Sequence, residues 1–95
     1  MSVAILIPTP FRRYVGGARS VGVEASSVAD ALALLAARSP ELRAQIFDDA
    51  GTIRSFVNVF VGGQDVRHLG GDGAPVPVRD GDVITLVPAI AGGAA

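Results

Sequence analysis

Short apolar runs of strand character alternate along this chain with turn residues, and one segment between them carries a helical period. Val3-Ala4-Ile5-Leu6-Ile7 is rich in β-branched residues and is stopped by Pro8 and Pro10, which cannot donate to a ladder, so it predicts a first strand. Gly16-Gly17 supplies permissive backbone for a reversal, and Ser20 to Glu24 then sets Val21 and Val23 against Ser20, Gly22 and Glu24, completing a hairpin. Ser27 is placed to cap a helix from Val28 to about Arg38, with Asp30 at the positive end of its dipole. Val28, Ala31, Leu32, Leu35 and Ala36 form the stripe of that helix, which must lie on a sheet.

Ser39-Pro40 ends the helix, because a residue before proline is driven out of helical geometry. Glu41 to Phe47 reads as a connection holding at most a short helical turn, with Leu42 and Ile46 four apart. Phe56, Asn58 and Phe60 then alternate with Val57, Val59 and Val61, and Gly62-Gly63 follows as a hairpin signal. Gly70 to Pro77 has no period and reads as a surface loop. After an Asp80-Gly81 turn, Val83 to Val87 forms the last strand, and Pro88 is expected to stop its pairing. The order predicts an α+β fold in which a mixed sheet of four to five strands packs on one main helix. Residues 1–88 would form the domain and 89–95 a flexible tail, leaving one sheet face to water or a partner.

Composition narrows the chemistry. The chain has 95 residues, a formal charge of -1, no Cys and one His, which leaves no disulfide, no thiolate metal site and no cysteine nucleophile. A near-neutral balance gives no electrostatic footprint for nucleic acid or an anionic membrane. The opening residues carry neither a basic leader nor a cleavage site, and no apolar run nears the roughly 20 residues of a membrane span, so a cytoplasmic protein is expected. Every basic side chain is Arg and none is Lys, so no side-chain amine is available for acylation.

The ending Pro88-Ala89-Ile90-Ala91-Gly92-Gly93 projects a thin segment from the last strand. Five extended residues reach on the order of 17 Å, enough to carry the Gly93 carbonyl into a deep partner site. Here a resemblance covers the whole chain. Phe56 to Val61, then Asp80-Gly81-Asp82-Val83-Ile84-Thr85-Leu86-Val87-Pro88, then Ala89-Ile90-Ala91-Gly92-Gly93 resemble the ubiquitin-like sulfur carriers of the ThiS and MoaD type. Ile7-Pro8-Thr9, Gly16-Gly17, Asp65-Val66-Arg67 and Gly70-Gly71 stand in similar places.

That resemblance implies a β-grasp fold and a protein co-substrate, not an enzyme, with no cofactor of its own. It implies that Gly93 is adenylated by an ATP-dependent enzyme of the MoeB or ThiF type and converted, from a sulfide source, to a thiocarboxylate. Ala91, Gly92 and Gly93 would enter the partner's site. Ala94 and Ala95 mask the acid and depart from the simplest family pattern, so a peptidase must first remove them; in resembling systems a Mov34-type zinc metalloprotease processes the carrier or releases its product. A cysteine-synthase-like enzyme is the implied acceptor, with a monomeric carrier as default. Two alternatives stay open: an interaction module whose tail remains blocked, and a carrier for molybdopterin, thiamin or a specialised metabolite.

The last expectation concerns the open sheet face. If Val57, Val59 and Val61 point to the helix, the pleat turns Phe56, Asn58 and Phe60 outward, with Thr85 and Val87 beside them. Phe60 and Val87, with Ile90 at the tail's base, then make an apolar patch suited to docking an activating enzyme. His68 has no nucleophile at motif spacing and reads as a loop residue, Asp80 and Asp82 read as turn carboxylates, and Arg12-Arg13 as a solvated pair.

Overall fold

The computed structural model describes residues 1–66 and 76–88. Five strands form one mixed sheet: β1 (Ser2–Leu6), β2 (Ser20–Glu24), β3 (Val57–Val61), β4 (Gln64–Asp65) and β5 (Val83–Pro88), in the order β2-β1-β5-β3-β4. The last strand in sequence is therefore the central one. It runs parallel to β1, with Ile5 beside Ile84, and antiparallel to β3, with Val59 opposite Leu86. Val61 and Gln64 are joined by Gly62 at φ 58° and Gly63 at φ 86°, the paired positive angles that a tight hairpin turn demands and that residues with a Cβ resist.

Helices α1 (Val28–Ala36) and α2 (Pro40–Ile46) cover one face. Ser27 caps α1 as its position predicts, its Oγ accepting from the Asp30 N–H at 3.1 Å. Val28, Ala31, Leu32 and Leu35 of the helix stripe are buried in one core with Val3, Ile5, Val57, Val59, Ile84 and Leu86, and Ala36 is buried beside them. The Val28 N–H donates to the Val76 carbonyl and the Val78 N–H to Ser26, while Gly81 donates to Ser2. These bonds fix the start of α1 beside the start of β1. The helix thus climbs towards the end of the sheet where β1 and β5 finish and where β2 and β3 begin, here termed the exit end.

Several local expectations are corrected. The segment read as a connection is an α-helix from Pro40 to Ile46, with Leu42 and Ile46 wholly buried. Its helical signal is only two apolar positions long, too short for periodicity to separate from a turn, but Ser39 caps it and Pro40 suits a first turn that needs no N–H. Between β1 and β2 the chain forms a 3-10 helix, Thr9–Val15, that buries Phe11; the prolines that stop the strand also start this helix. Helix α1 ends at Ala36, not Arg38, because its last turn tightens: Arg38 donates to Leu35 and Ser39 to Ala36. Pro88 lies within β5, opposite Val57, since a strand's final residue can accept without donating. Residues 70–75 of the predicted loop lie outside the described residues.

The entry to α2 is a polar contact within a buried junction. Ser39, 7% exposed, accepts from the Leu42 N–H at 3.3 Å and donates to the Glu41 carboxylate at 2.8 Å. That hydroxyl, with the Glu41 backbone, holds the Glu41 carboxyl below its usual range. A depressed folded-state pKa means that its contribution is present above the unfolded value and is lost as pH falls through the folded one. Loss of the α2 cap in Ser39→Ala should lower stability by about 1 kcal/mol near neutral pH. Its deficit against wild type should narrow as pH drops from about 6 to about 3, followed by urea unfolding at each pH.

Candidate functional site

Pairing β5 between β1 and β3 decides which side chains look away from the helices. On the core side Ile84 and Leu86 are buried with Val57 and Val59, and Val61 packs partly against them. The opposite pleat directs Thr85, Val87, Asn58 and Phe60 to the open face, the orientation expected from their alternation. Thr85 stands directly across from Phe60, and Val87 across from Asn58. Phe60 and Val87 are therefore diagonal neighbours, roughly 7–8 Å apart by strand geometry, within reach of an aromatic ring.

Val87 is 43% exposed, whereas Phe60, Asn58 and Thr85 are half-buried. Phe56 is 39% exposed but precedes β3, in the turn that leads into it, so its outward position does not come from the pleat. Two apolar residues join this face that strand-by-strand reading missed: Leu6 of β1 and Val83 of β5, both exposed. Parallel pairing sets Leu6 beside Thr85 and Ala4 beside Val83. The missing signal was which strand neighbours which; the alternation within each strand was already visible.

The turn before β5 accounts for both aspartates. Asp80 Oδ1 accepts from the Ser2 N–H at 2.8 Å, and Asp82 Oδ2 accepts from the Arg79 N–H at 2.8 Å. The first ties the turn to the start of β1 and the second closes the turn itself, as turn chemistry predicts, and no metal-ligating cluster occurs among the described residues. Arg13 donates to the Tyr14 hydroxyl at 2.8 Å and sits 4.9 Å from its ring centroid; the bond and the attraction to Tyr14 raise the guanidinium's pKa. On the solvent side of α1, Ala29, Ala33, Ala37, Arg43 and Phe47 line an open groove of about 390 Å³ that holds no pair of opposed titratable groups. His68, Ile90, Ala91, Gly92, Gly93, Ala94 and Ala95 lie outside the described residues. No described helix is long and apolar enough to cross a membrane.

A mixed sheet with β5 at its centre, wrapped over α1 and leading its last strand towards a Gly-Gly ending, defines a ubiquitin-like β-grasp protein. The ThiS family model matches residues 5–93, and the chain belongs to that family. It is 34% identical over 95 residues to the sulfur carrier protein CysO of Mycobacterium tuberculosis, covering 98% of this chain and all of that one. A chain in the crystal structure of the Amycolatopsis orientalis BexX/CysO complex superposes with a TM-score of 0.82 at 34% identity, covering 96% of this chain and 99% of that chain. Small archaeal modifier protein 3 of Haloferax volcanii is 35% identical over 68 residues, 72% of this chain and 71% of that protein.

The two pleat faces differ sharply in what they tolerate. Val59→Asp would bury an unpaired carboxylate against α1 and should abolish cooperative thermal unfolding, since an uncompensated buried charge costs several kcal/mol. Val87→Asp, on the neighbouring strand but facing out, should shift stability by only about 0.5 kcal/mol. Circular dichroism melts of the two variants check the assignment of faces.

Proposed function

We propose that this chain is a sulfur carrier, consumed and regenerated as a protein co-substrate. The observation that carries this reading is the match to the ThiS family, which runs to Gly93, on a scaffold whose central strand ends beside an exposed apolar face. Removal of Ala94-Ala95 exposes the Gly93 carboxylate. One carboxylate oxygen attacks the α-phosphorus of ATP in an adenylating sulfurtransferase of the MoeB or ThiF type, forming an acyl-adenylate and releasing pyrophosphate. A sulfide equivalent from the sulfur source then adds to the acyl carbon and expels AMP, leaving a thiocarboxylate.

The tail's composition suits this chemistry. Ala91, Gly92 and Gly93 carry almost no side chain, so a narrow cavity can close around their backbone. Sulfur at the terminus is a better nucleophile than oxygen and does not diffuse away from its carrier. Delivery to an electrophilic substrate in a cysteine-synthase-like enzyme, followed by hydrolysis through a Mov34-type zinc metalloprotease, would restore the carboxylate. Cysteine is the destination that the sequence resemblance implies.

Docking falls to the open face, with Phe60 and Val87 as its apolar centre, Phe56, Asn58 and Thr85 around them, and Ile90 at the base of the tail. A buried aromatic anchor in an interface is worth about 2 kcal/mol or more. Phe60→Asp should therefore raise the carrier KM for adenylation about 30-fold while its melting temperature stays near that of wild type. An unchanged KM in a folded variant would remove Phe60 from the docking surface.

Intact-mass spectrometry tests the tail chemistry. A chain ending at Gly93 should be adenylated and, with ATP, the host's adenylating enzyme and a sulfide source, should gain the mass difference between sulfur and oxygen. The chain bearing Ala94-Ala95 should gain it only after the host's metalloprotease is added. If the trimmed chain stays inert towards every host adenylating enzyme, the carrier reading fails.

A further inference from the structure

Among the described residues the charges of this near-neutral chain, Asp65 of β4 aside, are sorted along the strand axis. At the exit end lie Arg12 and Arg13 of the 3-10 helix, Arg19 before β2, Arg38 after α1, Arg43 of α2 and Arg54 before β3. Four are exposed, while Arg12 and Arg54 are partly so. Among the described residues three carboxylates share that end: Glu41, Asp48 and Asp49. Two of them serve the chain's own turns, since Glu41 accepts from Ser39, and Asp48 Oδ1 accepts from the N–H groups of Ala50 and Thr52. Among the described residues no ion pair within 4 Å neutralises any of the six guanidiniums. The opposite end carries Glu24, Asp30, Asp80 and Asp82 against Arg79.

Two of the arginines are anchored next to the strands that flank β5. Arg12 Nε donates at 3.0 Å to the carbonyl of Ile7, which directly follows β1, the strand on one side of β5. Arg54 Nε donates at 2.7 Å to Ala44, and the Arg54 carbonyl accepts from Val57, the residue opposite Pro88 on the other side. In each case Nε is committed to a backbone carbonyl, which anchors the side chain. Among the described residues its terminal NH2 groups make no other protein bond, leaving a pre-set fork for a carboxylate.

We propose that these arginines form a basic collar around the base of the tail that docks against an acidic rim on the enzyme receiving it, with Arg12 and Arg54 as the contacts nearest the exit. The inference rests on the carrier reading given above and adds the chemistry of the partner's surface. A chain polarised in this way turns in the field of an acidic surface so that its tail leads, which raises the rate of productive encounter more than the strength of the final complex. An acidic protein rim is the occupant favoured over nucleic acid because the carboxylates at the opposite end and the net charge of -1 oppose a long polyanion.

The test is stopped-flow association of the chain ending at Gly93 with the host's adenylating enzyme, alongside its steady-state adenylation. Raising NaCl from about 50 mM to about 500 mM should slow association at least tenfold. The Arg12→Glu, Arg54→Glu double variant should associate at least tenfold more slowly at low salt, with a flattened salt dependence and unchanged turnover at saturating carrier. Arg43→Glu, whose exposed side chain makes no hydrogen bond to the described residues, should give a smaller change in the same direction and stands in if the double variant does not fold. Glu24→Arg, at the opposite end, should leave the rate nearly unaltered.

Efficient adenylation with a salt-independent rate, identical in all variants, would overturn the collar while leaving the carrier reading intact. A raised KM for ATP without any change in association would assign the arginines to nucleotide phosphates instead, and overturn it as well. So would tight, salt-sensitive binding of a random single-stranded 30-mer that the same variants abolish without affecting adenylation. Absence of adenylation altogether would remove the carrier reading itself, and the collar with it.

Discussion

Everything the scaffold does depends on one insertion: β5, the last strand in sequence, pairs between β1 and β3. Strands on both sides satisfy its backbone, and Ile84 and Leu86 anchor it to the helix layer, each almost without solvent exposure. The strand that leads into the tail is thereby the strand least free to move, since releasing it would break two ladders and open the core together. If the residues after β5 enter another protein's cavity as proposed, a fixed base lowers the cost of association, because the strand that carries them is already ordered.

Because β5 is central, the same pairing also assembles the open face. Leu6, Thr85 and Phe60 come from three strands and form one transverse row, while Val83 and Val87 extend it along β5. None of these strands could present this surface alone. The helices leave this face uncovered because both pack on the other side, where Val28, Ala31, Leu32 and Leu35 of α1 and Leu42 and Ile46 of α2 share one core with the sheet. Exposure of the row is thus a consequence of having helices on one face only, a general property of such layered folds.

How much was legible in the sequence follows from which interactions are local. The cap at Ser27, the stripe on α1, the alternation of Val57, Val59 and Val61, and the paired glycines at 62 and 63 each rest on residues close in the chain, and each forms as its pattern implies. Helix α2 showed only as a short turn and the 3-10 helix not at all, because they hold only a few buried side chains, and packing rather than periodicity makes them helical. Leu6 and Val83 escaped notice for another reason: their place on the open face depends on a parallel pairing between residues nearly eighty positions apart. The arginine collar was equally invisible, as its six members come from five separate stretches that only the fold gathers at one end.

An all-arginine set of cations has a further consequence if the tail is activated as proposed. An acyl-adenylate is captured by any neutral amine that reaches it, and lysines placed around the exit would be the nearest nucleophiles in every collision between carriers. Guanidinium groups keep the positive charge but remain protonated at all physiological pH values, so they attract an acidic partner without attacking the activated end. For the same reason the chain offers no side-chain amine through which one copy could be joined to another by an isopeptide bond. Positive charge for docking and inertness towards its own acyl group are thus met by one residue type, and replacing Arg12 or Arg54 with Lys would preserve the first property while compromising the second.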